Sequence, residues 1–285
     1  MRKKLIINAD DFGMSHDFNV AICDLLEKRC ISSTSLMPNG CAYKEAIDMI
    51  HSKHLRNIGV HITLTRENFD CAGKLAYKSL THGSSIEDKD GFLLLTPSDL
   101  AKLAKDDDII QEIQNQILTI IKDGVDIAHV DNHMYSLMPR IGRRGYKLFF
   151  NAYKLLGIKR KLGIRIASSW YFFPDINYVY AGRKIQPYLW WEMLRNHLKG
   201  VQYSFAFPYY APNHKTLESK KQLLHLFLSS VKEGRTELHF HPAVYSKELE
   251  RQNPFWYNRV QEYELLRELS PEMLANRYGI ELIAY

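Results

Sequence analysis

The sequence predicts an α/β protein whose strands and helices close into a barrel, as one domain over residues 1–285. Three observations predict it. Short apolar, β-rich runs alternate with longer stretches of helical period, the pattern of parallel β/α units. The runs approach the eight that a β/α barrel needs. No Pro/Gly/Ser-rich linker and no internal repeat divides the chain, and 285 residues are ample for one large core.

In chain order the strand candidates are KLIINA (4–9), SSTSLM (32–37), NIGVHITL (57–64) and DIAHVDNH (126–133). GIRIA (163–167), YSFAF (203–207), TELHFHP (236–242) and IELIAY (280–285) follow. Between them, residues 19–29 read as a helix with apolar positions 20, 22, 25 and 26. Residues 108–124 read more clearly. Ile109, Ile110, Ile113, Ile117, Ile120 and Ile121 make one stripe, Asp106 to Asp108 sit where a helix N-terminus favours negative charge, and Gly124 sits where a helix stops. Residues 217–234 repeat the design. Two segments break the alternation. Residues 66–97 read as a long loop with a hairpin at Asp90-Gly91. Residues 168–213 carry 14 aromatics between Trp170 and Tyr210, about three times the chain average of 12%. Such side chains stack on sugar rings, fill cores and make homodimer contacts.

Composition narrows the function. Hydrophobic residues are 46% and charged residues 25%, so a folded globule is expected. The net charge of 38 − 32 = +6 is spread along the chain, with no basic cluster interleaved with aromatics, which argues against a nucleic-acid partner. Lys159-Arg160-Lys161 reads as a solvated turn. Cys23, Cys30, Cys41 and Cys71 form no CxxC pair and read as reduced thiols, some in the core. Only three apolar residues separate Met-Arg-Lys-Lys from Asn8, too few for a signal peptide. No stretch approaches 18 apolar residues, so no membrane span is expected and the cytoplasm is the default.

The chemistry-bearing residues interrupt the strands near their C-terminal ends. They are Asp10-Asp11, His61, the His129/Asp131/His133 series and the His239/His241 pair. In a β/α barrel these positions converge on one mouth. Each has a plainer reading. His61 suits a hydrogen-bonded core histidine, Asp11 suits a helix cap, and HxDxH puts its three side chains on one strand face with or without a metal. An aspartate and two histidines at three strand ends is nonetheless a common facial set for a divalent ion. His133 lies nearer the rim than His129, which reads as a packed layer below, and Asp131 reads as an orienting partner of a ligand histidine. Arg165 and Arg259 read as substrate contacts or as structural ion pairs.

NADDFGMS, TSLMPNG, GVHITLT, HVDNH and ELHFHP, in this order and spacing, resemble the YdjC-like carbohydrate deacetylases, the group that includes chitooligosaccharide deacetylase. The resemblance runs from residue 4 to about residue 270 and is strongest before residue 140. It implies an irregular TIM-like (β/α) barrel, a divalent metal ion, and removal of N-acetyl groups from amino-sugar oligosaccharides. Carried over by position, it makes Asp11, His61 and His133 the metal ligands, Asp10 the general base and His241 the general acid. Where the family continues with further histidines after HVDNH, this chain has Met134-Tyr135-Ser136. The ligand set suits zinc, or magnesium or manganese with waters completing the shell. The alternatives are another hydrolase on the same site, such as a metal phosphoesterase with a more basic mouth, and a carbohydrate-binding barrel without turnover.

Overall fold

The computed structural model describes residues 2–66, 77–137, 143–158, 161–178, 186–208 and 213–285. Its strands are β1 (Lys3–Phe12), β2 (Ser33–Leu36), β3 (Ile58–Ile62), β4 (Ile127–Asn132), β5 (Leu162–Ala167), β6 (Asn177–Tyr178), β7 (Leu198–Val201), β8 (Tyr203–Ala206), β9 (Gly234–Phe240) and β10 (Ile280–Leu282). The helices that alternate with them are α1 (His16–Glu27), α2 (Tyr43–Ser52), α3 (Pro97–Leu103), α4 (Asp106–Lys122), α5 (Arg143–Leu155), α6 (Gln186–Arg195) and α7 (Leu217–Ser230). Then α8 (Lys247–Gln252), α9 (Trp256–Leu266) and α10 (Pro271–Tyr278) close the chain toward β10.

The wall runs β8-β9-β1-β2-β3-β4-β5-β7, all parallel. Its two ends meet around Gln202, the single residue between β7 and β8. Gln202 accepts from Ser169 N at 2.9 Å and donates to Arg235 O on β9 at 2.9 Å. The sheet thereby curls into the predicted barrel. β6 adds an antiparallel pair to the outside edge of β8, and β10 lies along Lys3–Leu5 at the base of β1.

One expectation is corrected. Residues 280–285 give the expected strand over Ile280–Leu282 as β10, but it lies at the base of β1 and is not one of the eight wall strands. The eighth wall strand is β7, inside the aromatic segment. Its sequence, Leu-Lys-Gly-Val, is short and carries an exposed lysine and a glycine, so no apolar run marks it. The barrel still forms because register, not composition, brings β7 to β5.

The strongest helical pattern is also the best realised. In α4, Ile109, Ile113, Ile117 and Ile120 are buried, whereas Ile121 turns outward at 39% exposure. Two polar residues share the buried face. Glu112 accepts the backbone N–H groups of Leu80 and Thr81, and Gln116 bonds both the N–H and the C=O of Thr63. Helix and loop thus satisfy each other's polar groups. The expected hairpin is present: Asp88 N donates to Phe92 O at 2.7 Å, and Gly91 turns the chain at φ +77°. Residues 67–76 of that loop, with Cys71, lie outside the described residues, as do Lys159 and Arg160.

The aromatic segment splits in two. Tyr171, Tyr203, Phe205 and Phe207 are buried, with Tyr171 edge-on to Phe205 at 4.8 Å and Phe205 edge-on to Phe227 at 5.2 Å. Trp190 and Trp191 on α6 face outward instead, at 54% and 61% exposure. Residues 179–185 and 209–212 of this segment lie outside the described residues. Cys23 and Cys30 are buried free thiols and Cys41 an exposed one. Among the described residues no helix is long and apolar enough to cross a membrane.

Candidate metal centre and active site

Alternation along a strand sends every second side chain inward. The inward series are Asn8 and Asp10 on β1, His129 and Asp131 on β4, Gly163 and Arg165 on β5, and Glu237 and His239 on β9. An unusually polar barrel interior results, and nearly all of it is buried.

Asp11 breaks the alternation. Its φ is +70°, and the β1/β2 register slips between Ala9 and Phe12. This bulge turns Asp11 inward beside Asp10, so both carboxylates reach the same chamber. Asp11 does not cap α1, whose N-cap is Ser15. Across the chamber, β4 ends at Asn132, and His133 begins a short 3₁₀ turn in which Met134 and Tyr135 adopt φ of +50° and +54°. His133 is therefore placed by a turn just beyond the strand, not by the strand itself.

Three distant parts of the chain meet here. His61 Nε2 lies 3.3 Å and His133 Nδ1 3.2 Å from the same Asp11 oxygen, Oδ1. The ligand atoms of Asp11, His61 and His133 all lie within 4.8 Å of one another, and all three residues are buried. Burial alone would raise the Asp11 pKa, but hydrogen bonds from His133 and His61 hold it well below the carboxylate range. A carboxylate with two imidazoles, all aimed at one point, fits a divalent ion. A second trio, Asp10, His61 and Asp131, is equally compact. It is a poorer cation site because the Arg165 guanidinium already sits on both of its carboxylates.

Arg165 is the centre of the layer below. Its Nη1 and Nη2 grip Asp10 at 2.6 and 2.7 Å, Nη2 reaches Asp131 Oδ2 at 2.7 Å, and Nε donates to Glu237 Oε1 at 2.8 Å. Its side chain is 3% exposed, beneath the mouth rather than facing it. Burial opposes charging of Asp10, yet Arg165 outweighs it and draws the pKa down to about 2. Asn8 adds a 2.7 Å hydrogen bond to Asp10, and Ser33 and Ser35 hold Asn8 in turn. Asp131 accepts from His61 Nδ1 at 2.6 Å, which turns Nε2 of that ring toward Asp11. Burial disfavours a charged His61, but Asp131 and Asp11 overcome this and raise its pKa to about 10.

His241 stands at the rim with Nε2 3.9 Å from Asp10 Oδ2. Its backbone N–H donates to Glu262 Oε2 at 2.5 Å. Burial, then the nearby Arg259 charge, lowers the His241 pKa to about 3, so the ring is neutral at pH 7. His239 is one layer deeper, with Nε2 3.2 Å from the Tyr135 hydroxyl. His129 lies beneath Asp131, 3.6 Å from its Oδ2, with its ring stacked on Tyr285 at 4.0 Å. It takes no part in the trio.

Sequence reasoning missed Asn8, Ser35, Ser204, Glu237 and Glu262. A signal existed for Glu237, which lies two and four residues before His239 and His241 and so shares their face. Glu262, on a helix far along the chain, carries no local signal.

Comparison with known proteins places this geometry. The family model described as YdjC-like protein matches residues 4–275. A carbohydrate deacetylase of Thermoanaerobacter pseudethanolicus is 26% identical over 281 residues, covering 99% of this chain and 94% of the relative. A carbohydrate deacetylase of Enterococcus faecalis is 26% identical over 285 residues, covering 99% and 97%. In fold, the chain is similar to a crystal structure from Enterococcus faecalis described as a cellobiose-phosphate cleavage protein. The TM-score is 0.74 at 22% identity, over 100% of this chain and 98% of the other. With the motifs at one barrel mouth and the match running through nearly the whole length, the chain belongs to the YdjC-like protein family, whose full-length relatives named here are carbohydrate deacetylases.

Proposed function

We propose that this protein is a metal-dependent hydrolase that removes N-acetyl groups from amino-sugar oligosaccharides of the chitin-fragment class. The observation that carries the reading is the convergence of Asp11, His61 and His133 within 4.8 Å at the mouth, beside an Arg165-held Asp10 and the rim residue His241. A bound magnesium or zinc ion would polarise the amide carbonyl and acidify the attacking water.

The chain's own residues divide the proton work. Asp10 is ionised at any physiological pH, and Arg165 and Asn8 fix its orientation, so it is poised to accept the water's proton. His241 stands 3.9 Å away and is neutral at rest. It becomes the acid only after taking the proton, then gives it to the leaving amine. Arg165 acts through Asp10, as a positioning residue rather than a sugar contact. Asp131 orients His61. Exposed aromatics on loops that follow wall strands, Trp170 and Phe172 after β5 and Tyr245 after β9, supply stacking faces for sugar rings at 44%, 72% and 54% exposure.

The test is acetate release from N-acetylated chitin fragments, with and without a chelator. Chelator-sensitive release is expected. Sugar binding without release identifies a binding barrel, and release of phosphate but not acetate from matched substrates identifies a phosphoesterase.

A further inference from the structure

The N-terminal ends of several wall strands carry basic side chains. Lys4 on β1 and Arg235 on β9 are register partners, Lys199 lies on β7, and Lys161 immediately precedes β5. Four wall strands thus bring a cation to one floor. Among the described residues none of the four forms an ion pair. The carboxylate that shares the Arg235 face, Glu237, is committed to Arg165 and Ser204. Arg235 Nε and Nη1 are buried and have no hydrogen-bond partner. A guanidinium seldom leaves buried N–H groups without acceptors, because their desolvation goes uncompensated. Lys199 binds its proton less tightly than an ordinary lysine, chiefly because of Arg235, with Lys4 and Lys161 adding to the effect.

Beside these groups lies a cavity of about 370 Å³. Its lining combines Arg235, Lys199 and Gln202 with Trp190, Met193 and Leu194 of α6. The size falls in the range of about 300–1,000 Å³ usual for small-ligand pockets. A planar guanidinium with free N–H groups and several cations around it suits a multivalent tetrahedral oxyanion better than a single carboxylate. The exposed Trp190 indole in the same lining suits a flat organic body.

We propose that the floor of the barrel carries a second ligand site, for a phosphate-class oxyanion, free or as a small monoester, held by Arg235 and Lys199 with its organic part against Trp190. The site lies at the far end of the strands from the metal trio and does not depend on the deacetylase reading.

Calorimetric titration of the intact protein with inorganic phosphate and with phenyl phosphate tests it, at constant ionic strength, with phenol and chloride as controls and with and without chelator. Saturable one-to-one binding of both phosphates is expected, unchanged by the chelator. Arg235→Gln and Lys199→Gln are each expected to weaken both by about tenfold or more. Trp190→Ala is expected to weaken phenyl phosphate alone, which separates the monoester from the free ion. Should Arg235→Gln fail to fold, the exposed Lys199→Gln decides. Unsaturable heats matched by chloride, loss of binding on chelation, or wild-type affinity in both charge-removing variants overturns the proposal. Equal effects of Trp190→Ala on both probes remove the organic part from it.

Discussion

The two ends of this barrel are lined by the same strands yet follow opposite rules. In the mouth and the Arg165 layer beneath it, Asp10, Asp11, Asp131 and Glu237 are each tied to an arginine or a histidine, and the carboxylates outnumber the cations. At the floor, Lys4, Lys161, Lys199 and Arg235 gather without ion pairs among the described residues, and a ring stack of Tyr285 on His129 fills the middle. Arg165 separates the two layers. The mouth invests in charges held in fixed geometry, whose worth depends on every partner staying in place. The Tyr285–His129 stack at the floor is aromatic packing, which tolerates change more gradually.

That contrast can be broken from the mouth first. His133→Ala is expected to abolish both metal retention and acetate release. Asp10→Asn and His241→Ala are expected to lose about 10²–10⁴-fold in rate while keeping the metal. Elemental analysis beside the activity assay checks this, and normal metal content in His133→Ala refutes the ligand assignment. Next in size is Arg165→Met, which removes the guanidinium shared by the buried carboxylates of Asp10, Asp131 and Glu237. A loss of about 3–5 kcal/mol in denaturant unfolding is expected.

The floor should respond more mildly. Tyr285→Ala removes the half-buried ring stacked on His129, at an expected cost of about 2–3 kcal/mol. Activity per folded molecule should stay within a few-fold. A large loss of turnover at full folding would mean that floor and mouth are coupled through His129 and Asp131. The smallest effect sharpens the comparison by pH. Burial lifts Glu262 from 4.5 to about 6, so the folded state holds its proton more tightly than the unfolded state does. Its contribution therefore becomes unfavourable as pH rises through 4.5 to 6, by about 2 kcal/mol in all. Glu262→Gln is expected to remove that part of the stability–pH profile, and an unaltered profile would show that the carboxyl is not the source.

Much of the mouth was legible in the sequence. His61, His133 and Asp11 stand out because polar side chains inside apolar runs are rare and all fell at strand ends. Their order along the chain supplied the rest. Other features were hidden for physical reasons. The adjacent aspartates point the same way only because Asp11 takes a left-handed φ, which alternation does not foresee. β7 escaped notice because Leu198 to Val201 is held by its neighbours and not by its own composition. At Ile280–Tyr285 an apolar β-rich run does form a strand, but its sequence does not say that it pairs only with the base of β1. The share of the aromatic segment that is simple core, such as Phe205 against Phe227, could not be separated by counting from the outward tryptophans of α6.

The left-handed residues at the rim, Asp11, Met134 and Tyr135, carry a consequence for protein engineering. Each left-handed non-glycine position costs on the order of 1 kcal/mol. Grafting Asp, His and His onto the strand ends of an idealised scaffold would therefore reproduce the letters of the centre and miss its shape. A transplant would have to import the contorted main chain as well, with enough surplus stability in the host to tolerate it.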